Sequence, residues 1–350
     1  MRGGLRTSSF VESHGSPPWR PPKPSRKFSS SVSVFAPATV ANFGVGFDVL
    51  GAALDGPGDT LTARLTRAPG VRVVSISGDG GRLPRDPRLN TAAVSAAAVL
   101  AEFGGRGGRG GRRVGIELSL EKGLPLSSGL GSSAASAAAG AYAAGLLLGV
   151  RDRLELLGAA LKGEHAADGS WHGDNVFAAL LGGFVLVPSS DPGGILAPVS
   201  LRVPPRVRIV VVSPGLELPT RRSRGVLPRT IPMGAHTAHA GALARLVLAL
   251  SSGDLAAAGA CLLADRVVDP KRLPLVRGGR AALDALLDAG AYGACLAGAG
   301  PSLVGLTEKS ADVERIGRAA VAAWKRSGVP ARARVHRIDR RGTRLAGTRA

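Results

Sequence analysis

One stretch limits the folds open to this chain: Leu124-Pro-Leu-Ser-Ser-Gly-Leu-Gly-Ser-Ser-Ala-Ala-Ser-Ala-Ala-Ala-Gly140. The alternating run Val114–Leu120 before it reads as a strand. The Ala-rich run from Gly131 to about Gly149 reads as a helix, because alanine has the highest helix propensity. The order is therefore strand, glycine loop, helix N-terminus. That order aims unpaired backbone N–H groups and the positive end of a helix dipole at one point, which suits a phosphate. Gly129 and Gly131 allow close backbone approach, and the hydroxyls of Ser132 and Ser133 can reach a phosphate oxygen or a Mg²⁺. A flexible turn leading into a packed helix fits the same residues. The common nucleotide-hydrolase P-loop is excluded, since no Gly-Lys-Ser/Thr follows the second glycine.

The chain around this stretch is long enough, at 350 residues, to bury a full core in two lobes. Strands are expected at 32–37, 49–54, 59–65 and 71–77, with Ala38–Asp48 a glycine loop. A helix is expected over Asn90–Phe103, capped near Asn90 or Thr91, and a second over Arg153–His165. Residues 166–175 read as a polar bend. Pro and Gly cluster at 188–194 and 204–205, the expected lobe boundary. Beyond it lie a buried strand at 207–213, helices at 235–250, 254–264, 281–289 and 311–326, a strand–turn–strand at 293–306 and a closing strand at 333–338. Strands and helices mix without a regular β-α repeat, which favours α+β.

The net charge of +20 suggests nucleic acid until it is located. Residues 1–31 carry six basic side chains and one acid, +5; Gly104–Arg113 carries four arginines, +4; residues 325–350 carry nine basic residues and one Asp, +8. Only +3 remains elsewhere, and no aromatics interleave with the basic runs, so these read as solvated charge, with no nucleic-acid partner. No run is apolar enough to span a bilayer, so no membrane partner is expected. Residues 1–31, rich in Ser, Pro and Arg, fit a transit peptide, a disordered extension or an upstream start equally. Cys261 and Cys295 sit among small apolar residues and read as buried thiols in a reducing compartment.

Three stretches in order resemble the GHMP kinases: Asn42-Phe-Gly-Val-Gly-Phe-Asp48, Pro125–Ser133 and Gly298-Ala-Gly-Pro-Ser302. The resemblance runs from about Val32 to Arg344. Within that superfamily the chain is most similar to the homoserine kinases, plant-type sequences especially, through Phe35–Asn42, His172-Gly-Asp-Asn175, Thr220–Pro228 and Asp265–Arg272. The resemblance implies an α+β, two-lobed fold: residues 1–31 outside it, an N-terminal ATP-binding lobe over 32–203 and a ferredoxin-like C-terminal lobe over 204–345. It implies ATP and Mg²⁺ as cofactors, L-homoserine as the small-molecule substrate, a step of threonine biosynthesis, and a cytoplasmic homodimer, or a plastid one if residues 1–31 are a transit peptide.

The resemblance also implies roles. Pro125, Leu126, Ser127, Ser128, Gly129, Leu130, Gly131, Ser132 and Ser133 would hold the ATP phosphates. Ser132 or Ser133, with Glu164, would hold Mg²⁺, hard oxygens for a hard cation. The substrate is a zwitterion, so its carboxylate needs guanidinium groups, Arg224 and Arg272, and its ammonium a carboxylate, Asp48. Asn42, His172 and Asn175 would surround it, with Asn175 near the reacting hydroxyl. Asp174 is the available carboxylate for a catalytic base, but phosphoryl transfer by alignment and charge stabilisation alone is equally open. The Gly298–Ser302 turn is expected to brace the glycine loop from the second lobe. Two departures from the family pattern are Gly173 and the sequence Val176-Phe177-Ala178 without a following proline; Phe177 is expected to alter packing behind the substrate loop.

Overall fold

The computed structural model describes residues 31–104, 114–188, 197–308, 310 and 313–347. The N-terminal extension, most of the Gly/Arg segment, the 188–194 Pro/Gly cluster beyond its first residue and the expected helix start at 311 lie outside the described residues.

The first lobe opens with β1 (Ser31–Asn42), a tight turn, and β2 (Gly46–Thr66), followed by β3 (Gly70–Ser77), α1 (Thr91–Phe103), β4 (Gly115–Glu121), α2 (Ser132–Leu148), α3 (Leu157–Asp168), α4 (Gly173–Leu181) and the short hairpin β5 (Phe184–Leu186) and β6 (Val199–Leu201). The two expected strands at 49–54 and 59–65 are one 21-residue strand, β2, long enough to pair with β1, β4 and β5 along its length. β3 lies parallel to β4, and the other strand pairs of this sheet are antiparallel. Asn90 caps α1, its side chain accepting from the Ala93 N–H. The Ala-rich α2 is buried on almost every face because it packs on β1 and β2 beneath and on α1, α3 and α4 beside it. Small side chains suit a helix enclosed from all sides. The expected polar bend is shorter than read: α3 extends to Asp168 and α4 begins at Gly173, so Asp174 and Asn175 stand in the first turn of a helix.

The second lobe comprises β7 (Val207–Pro214), α5 (Thr220–Gly225), α6 (Met233–Ser252), α7 (Leu255–Leu262), α8 (Asp269–Arg272), α9 (Gly279–Asp288), β8 (Gly293–Leu296), β9 (Leu303–Glu308), α10 (Val313–Arg326) and β10 (Ala331–His336). Its sheet runs β10-β7-β9-β8, all antiparallel, with α9 and α10 against one face. That strand order, with a helical connection on each side of the β8–β9 hairpin, is the expected ferredoxin-like arrangement. β7 shows why the sequence runs apolar there. Val210 and Val212 enter the core with Leu286 and Trp324, while Val207, Ile209 and Val211 face α6, α7 and the core of the first lobe. The last described strand, β11 (Arg344–Leu345), leaves this lobe and pairs with β1. Cys261 and Cys295 are free and buried. No helix among the described residues is long and apolar enough to cross a membrane.

Candidate active site

A cleft of about 590 Å³ lies between the lobes. Its floor is the loop from Lys122 to Gly131 and the start of α2. Gly129 and Gly131 both have positive φ, 82° and 63°. A Cβ on Gly129 would strike the carbonyls of Ala297 and Gly300, and one on Gly131 would strike the Thr39 hydroxyl, so only glycine fits at either position. The turn at 298–302 thus presses directly on the loop, as expected, and the Ser302 N–H also faces the Ser128 carbonyl at 3.4 Å.

Both ends of the loop are tied by a buried pair that the sequence did not single out. Lys122 Nζ donates to the Asp59 carboxylate, to the Ser132 carbonyl at 2.8 Å and to Ser136 Oγ at 2.9 Å. Asp59 accepts the N–H groups of Gly123 and Leu124 at 3.2 and 3.3 Å. Burial pulls the Lys122 pKa below its ordinary value, and Asp59 opposes that pull.

Ser133 Oγ donates to Glu164 Oε1 at 2.9 Å, which joins two of the three expected metal ligands; Ser132 Oγ lies 3.5 Å from the Leu124 carbonyl. Glu164 is buried, and its Oε2 has no hydrogen-bond partner. A bare carboxylate oxygen at the phosphate end of a cleft fits a hard cation that takes its other oxygens from a polyphosphate and water. No group of three or more His, Cys, Asp or Glu suited to a metal occurs among the described residues.

The opposite wall carries the expected acceptor residues. Arg224 donates through Nη2 to Asp48 Oδ1 at 2.7 Å and through Nε to His172 Nε2 at 3.1 Å. Since Nε2 accepts, the proton of the neutral ring sits on Nδ1, 3.2 Å from Glu164 Oε1. Burial lowers the His172 pKa, but the Glu164 carboxylate overrides it and holds the ring above its ordinary value. Arg272 is buried, anchored to the carbonyls of Ser223 and Gly298 at 3.2 Å each. Both guanidiniums lie over the Phe47 ring, 5.4 and 5.1 Å from its centroid. Asn42 lines the cleft but spends both ends of its amide on protein: Nδ2 donates to the Gly298 carbonyl at 2.8 Å, and Oδ1 accepts the Asp48 N–H at 3.2 Å. Asn42, Phe43 and Asp48 all have positive φ, unusual for residues with a Cβ and typical of strain held at a functional site.

Asn175 and Asp174 sit where α4 meets the loop. Thr39 Oγ1 donates to Asn175 Oδ1 at 2.8 Å, and Asp174 Oδ1 accepts from the Asn175 N–H at 2.8 Å. Burial first, and the Asp48 charge second, push the Asp174 carboxyl up to about 7. Of the expected site residues, all line the cleft except Pro125, which is exposed, and Leu130, which is buried beneath the loop. Phe177 faces the core of the first lobe, away from the cleft. The sequence reading gave no role to Asp59, Lys122, Thr39 or Phe47; Thr39, inside Phe35–Asn42, and Phe47, inside the Gly-Phe-Asp motif, carried a signal, and Asp59 and Lys122 carried none.

The family model described as "GHMP kinases N terminal domain" matches residues 90–183, and "GHMP kinases C terminal" matches residues 246–326. A homoserine kinase of Arabidopsis thaliana is 41% identical over 325 residues, 91% of this chain and 85% of that one. This chain belongs to the homoserine kinase family of GHMP kinases. A homoserine kinase of Chlorobium phaeobacteroides is also 41% identical, over 83% of this chain and 90% of its own length. The crystal structure of homoserine kinase from Cytophaga hutchinsonii superposes with a TM-score of 0.85 at 40% identity, covering 91% of this chain and 98% of that one. The GHMP kinase fold thus accounts for the two lobes, and the homoserine kinase family is one of phosphotransferases.

Proposed function

We propose that this chain transfers the γ-phosphoryl group of ATP to the side-chain hydroxyl of L-homoserine, giving O-phospho-L-homoserine for threonine biosynthesis. The observation that carries the reading is the charge pattern of the acceptor wall. Asp48 suits an ammonium, Arg224 and Arg272 suit a carboxylate, and Asn175 lines the same cleft beside Gly131 of the phosphate loop. An amino acid with a side-chain alcohol satisfies all three at once; mevalonate or a sugar brings no ammonium, so Asp48 keeps Arg224 as its cationic partner and gains nothing from the acceptor.

The loop N–H groups and the α2 N-terminus would take the phosphates. The apolar side chains of Leu83, Pro84 and Leu89, which also line the cleft, suit a nucleoside base. Mg²⁺ would be held by Glu164 Oε2 with Ser133 or Ser132 beside it, and when bound it supplies charge neutralisation for the transferring group. Asn175 aims the acceptor oxygen. The new O–P bond forms as the bond to ADP breaks, and the hydroxyl proton leaves to an oxygen of the transferred group, with Asp174 an environment rather than a base.

Helix α6 is largely exposed and carries no Lys, Arg, Asp or Glu from Met233 to Ala244. That stretch supports a homodimer, and light scattering checks it.

One assay tests the chemistry: ADP release with ATP and Mg²⁺ on homoserine, mevalonate, galactose and shikimate. Turnover on homoserine is the expected result. Turnover on another acceptor in its place would end the substrate assignment.

A further inference from the structure

Thr39 lies within the Phe35–Asn42 stretch but has no role assigned to it above, yet it is where the two halves of the cleft touch. It lies on β1 with no exposed surface. Its N–H donates to the Leu130 carbonyl at 3.2 Å, inside the phosphate loop. Its Oγ1 donates to Asn175 Oδ1 at 2.8 Å, on the first turn of α4. The same hydroxyl is the nearest atom to the space that a Cβ on Gly131 would fill, with Asn175 Oδ1 next. One residue, by its backbone N–H and its hydroxyl, therefore spans from the end of the loop to the residue that aims the acceptor.

We propose that Thr39 is a positioning residue that sets Asn175 in register with the phosphate loop. The inference rests on the reading of Asn175 as the group that orients the acceptor hydroxyl. Two neighbours decide the amide's orientation. Asp174 Oδ1, which already accepts the Asn175 backbone N–H at 2.8 Å, lies 3.3 Å from Nδ2, and the Thr39 hydroxyl donates to Oδ1. Nδ2 has two N–H groups and Asp174 takes one, so the other is left to donate to an acceptor oxygen in the cleft. Asn175 thus donates to the acceptor oxygen and does not take its proton. The hydroxyl of Thr39 fixes that polarity, and its backbone N–H fixes the distance to the loop. In-line transfer is sensitive to such placement, since a misfit of about 1 Å can cost about 100-fold in rate.

The test compares Thr39→Val, Thr39→Ser, Asn175→Ala and the double variant Thr39→Val/Asn175→Ala in steady-state kinetics with both substrates varied. Thr39→Val is expected to lower kcat about 10- to 100-fold with both KM values within about threefold, and Thr39→Ser to restore kcat to within about threefold of the parent. The double variant is expected to be no slower than Asn175→Ala alone, because a residue acting through another adds nothing once that other is gone. Should valine not pack beneath Gly131, Thr39→Ala takes its place in the same cycle. Additive losses, or a loss expressed chiefly in KM for ATP, would overturn the inference while leaving the role of Asn175 intact. Full turnover by Asn175→Ala would instead remove the reading on which it stands.

Discussion

Asn175 and Asp174 are neighbours on one helical turn, and the geometry assigns them different work. Asn175 presents a neutral amide to the cleft, held by Thr39; Asp174 turns its carboxylate onto the backbone N–H of Asn175. Asn175→Ala is therefore expected to cost about 100-fold or more in kcat, and Asp174→Asn about tenfold or less. Equal and severe losses in single-turnover assays would make Asp174 the base. Arg224 offers a second contrast. It touches Asp48 and His172 and no part of the phosphate loop. Replacing it with methionine removes a charge-assisted contact worth about 1.5–3 kcal/mol, so KM for homoserine is expected to rise about 10- to 100-fold while KM for ATP stays put. Initial rates with each substrate varied at saturation of the other separate the two.

At the scale of elements, the loop between β4 and α2 is held open by a knot beneath it. Asp59 on β2 grips the loop's first N–H groups, and Lys122 grips the first turn of α2. Both charges are buried, with side-chain exposures of 0% and 1%. Lys122→Met strands Asp59 in the interior, and a loss of about 3–5 kcal/mol is expected in urea unfolding. Adding Asp59→Asn should recover part of that loss, since it removes the stranded charge. This knot also marks where the sequence stops being readable. The glycine loop, the two arginines and the Asp-bearing turn each carry their chemistry in a few consecutive residues, so they were legible. Asp59 and Lys122 are an ordinary acid and an ordinary base 63 positions apart. Only the pairing of β2 with β4 brings them together, as only the β1 register brings Thr39 under Gly131. Likewise α4 was hidden because Gly173, Asp174 and Asn175 are poor helix formers, and their helix is set by burial of Val176, Phe177 and Leu180.

Across the whole molecule, two buried carboxyls make stability depend on pH in an unusual sense. Asp174 and Asp269 are each pushed up to about 7, chiefly by burial. The folded state therefore binds more protons than the unfolded chain between pH about 4 and 7, and stability from these groups falls as pH rises through that window. Asp269 lies outside the cleft lining, with Oδ2 accepting the Leu296 N–H at 2.9 Å and Oδ1 without a partner. Asp269→Asn keeps the accepting oxygen and deletes the titration. Its Tm relative to the parent is expected to climb from pH about 4 to 7 and to level above that, as thermal melts in a buffer series would record; a flat difference would refute it. A consequence of β11 concerns synthesis. Among the described strands the ribosome delivers β1 first and its outer neighbour last, with most of both lobes made in between. From the emergence of β1 until that of β11, Val34 and Phe35 on the rim of the first sheet lack the strand that pairs with them, and a nascent chain stalled before residue 344 would offer that edge for strand exchange with its neighbours on a polysome.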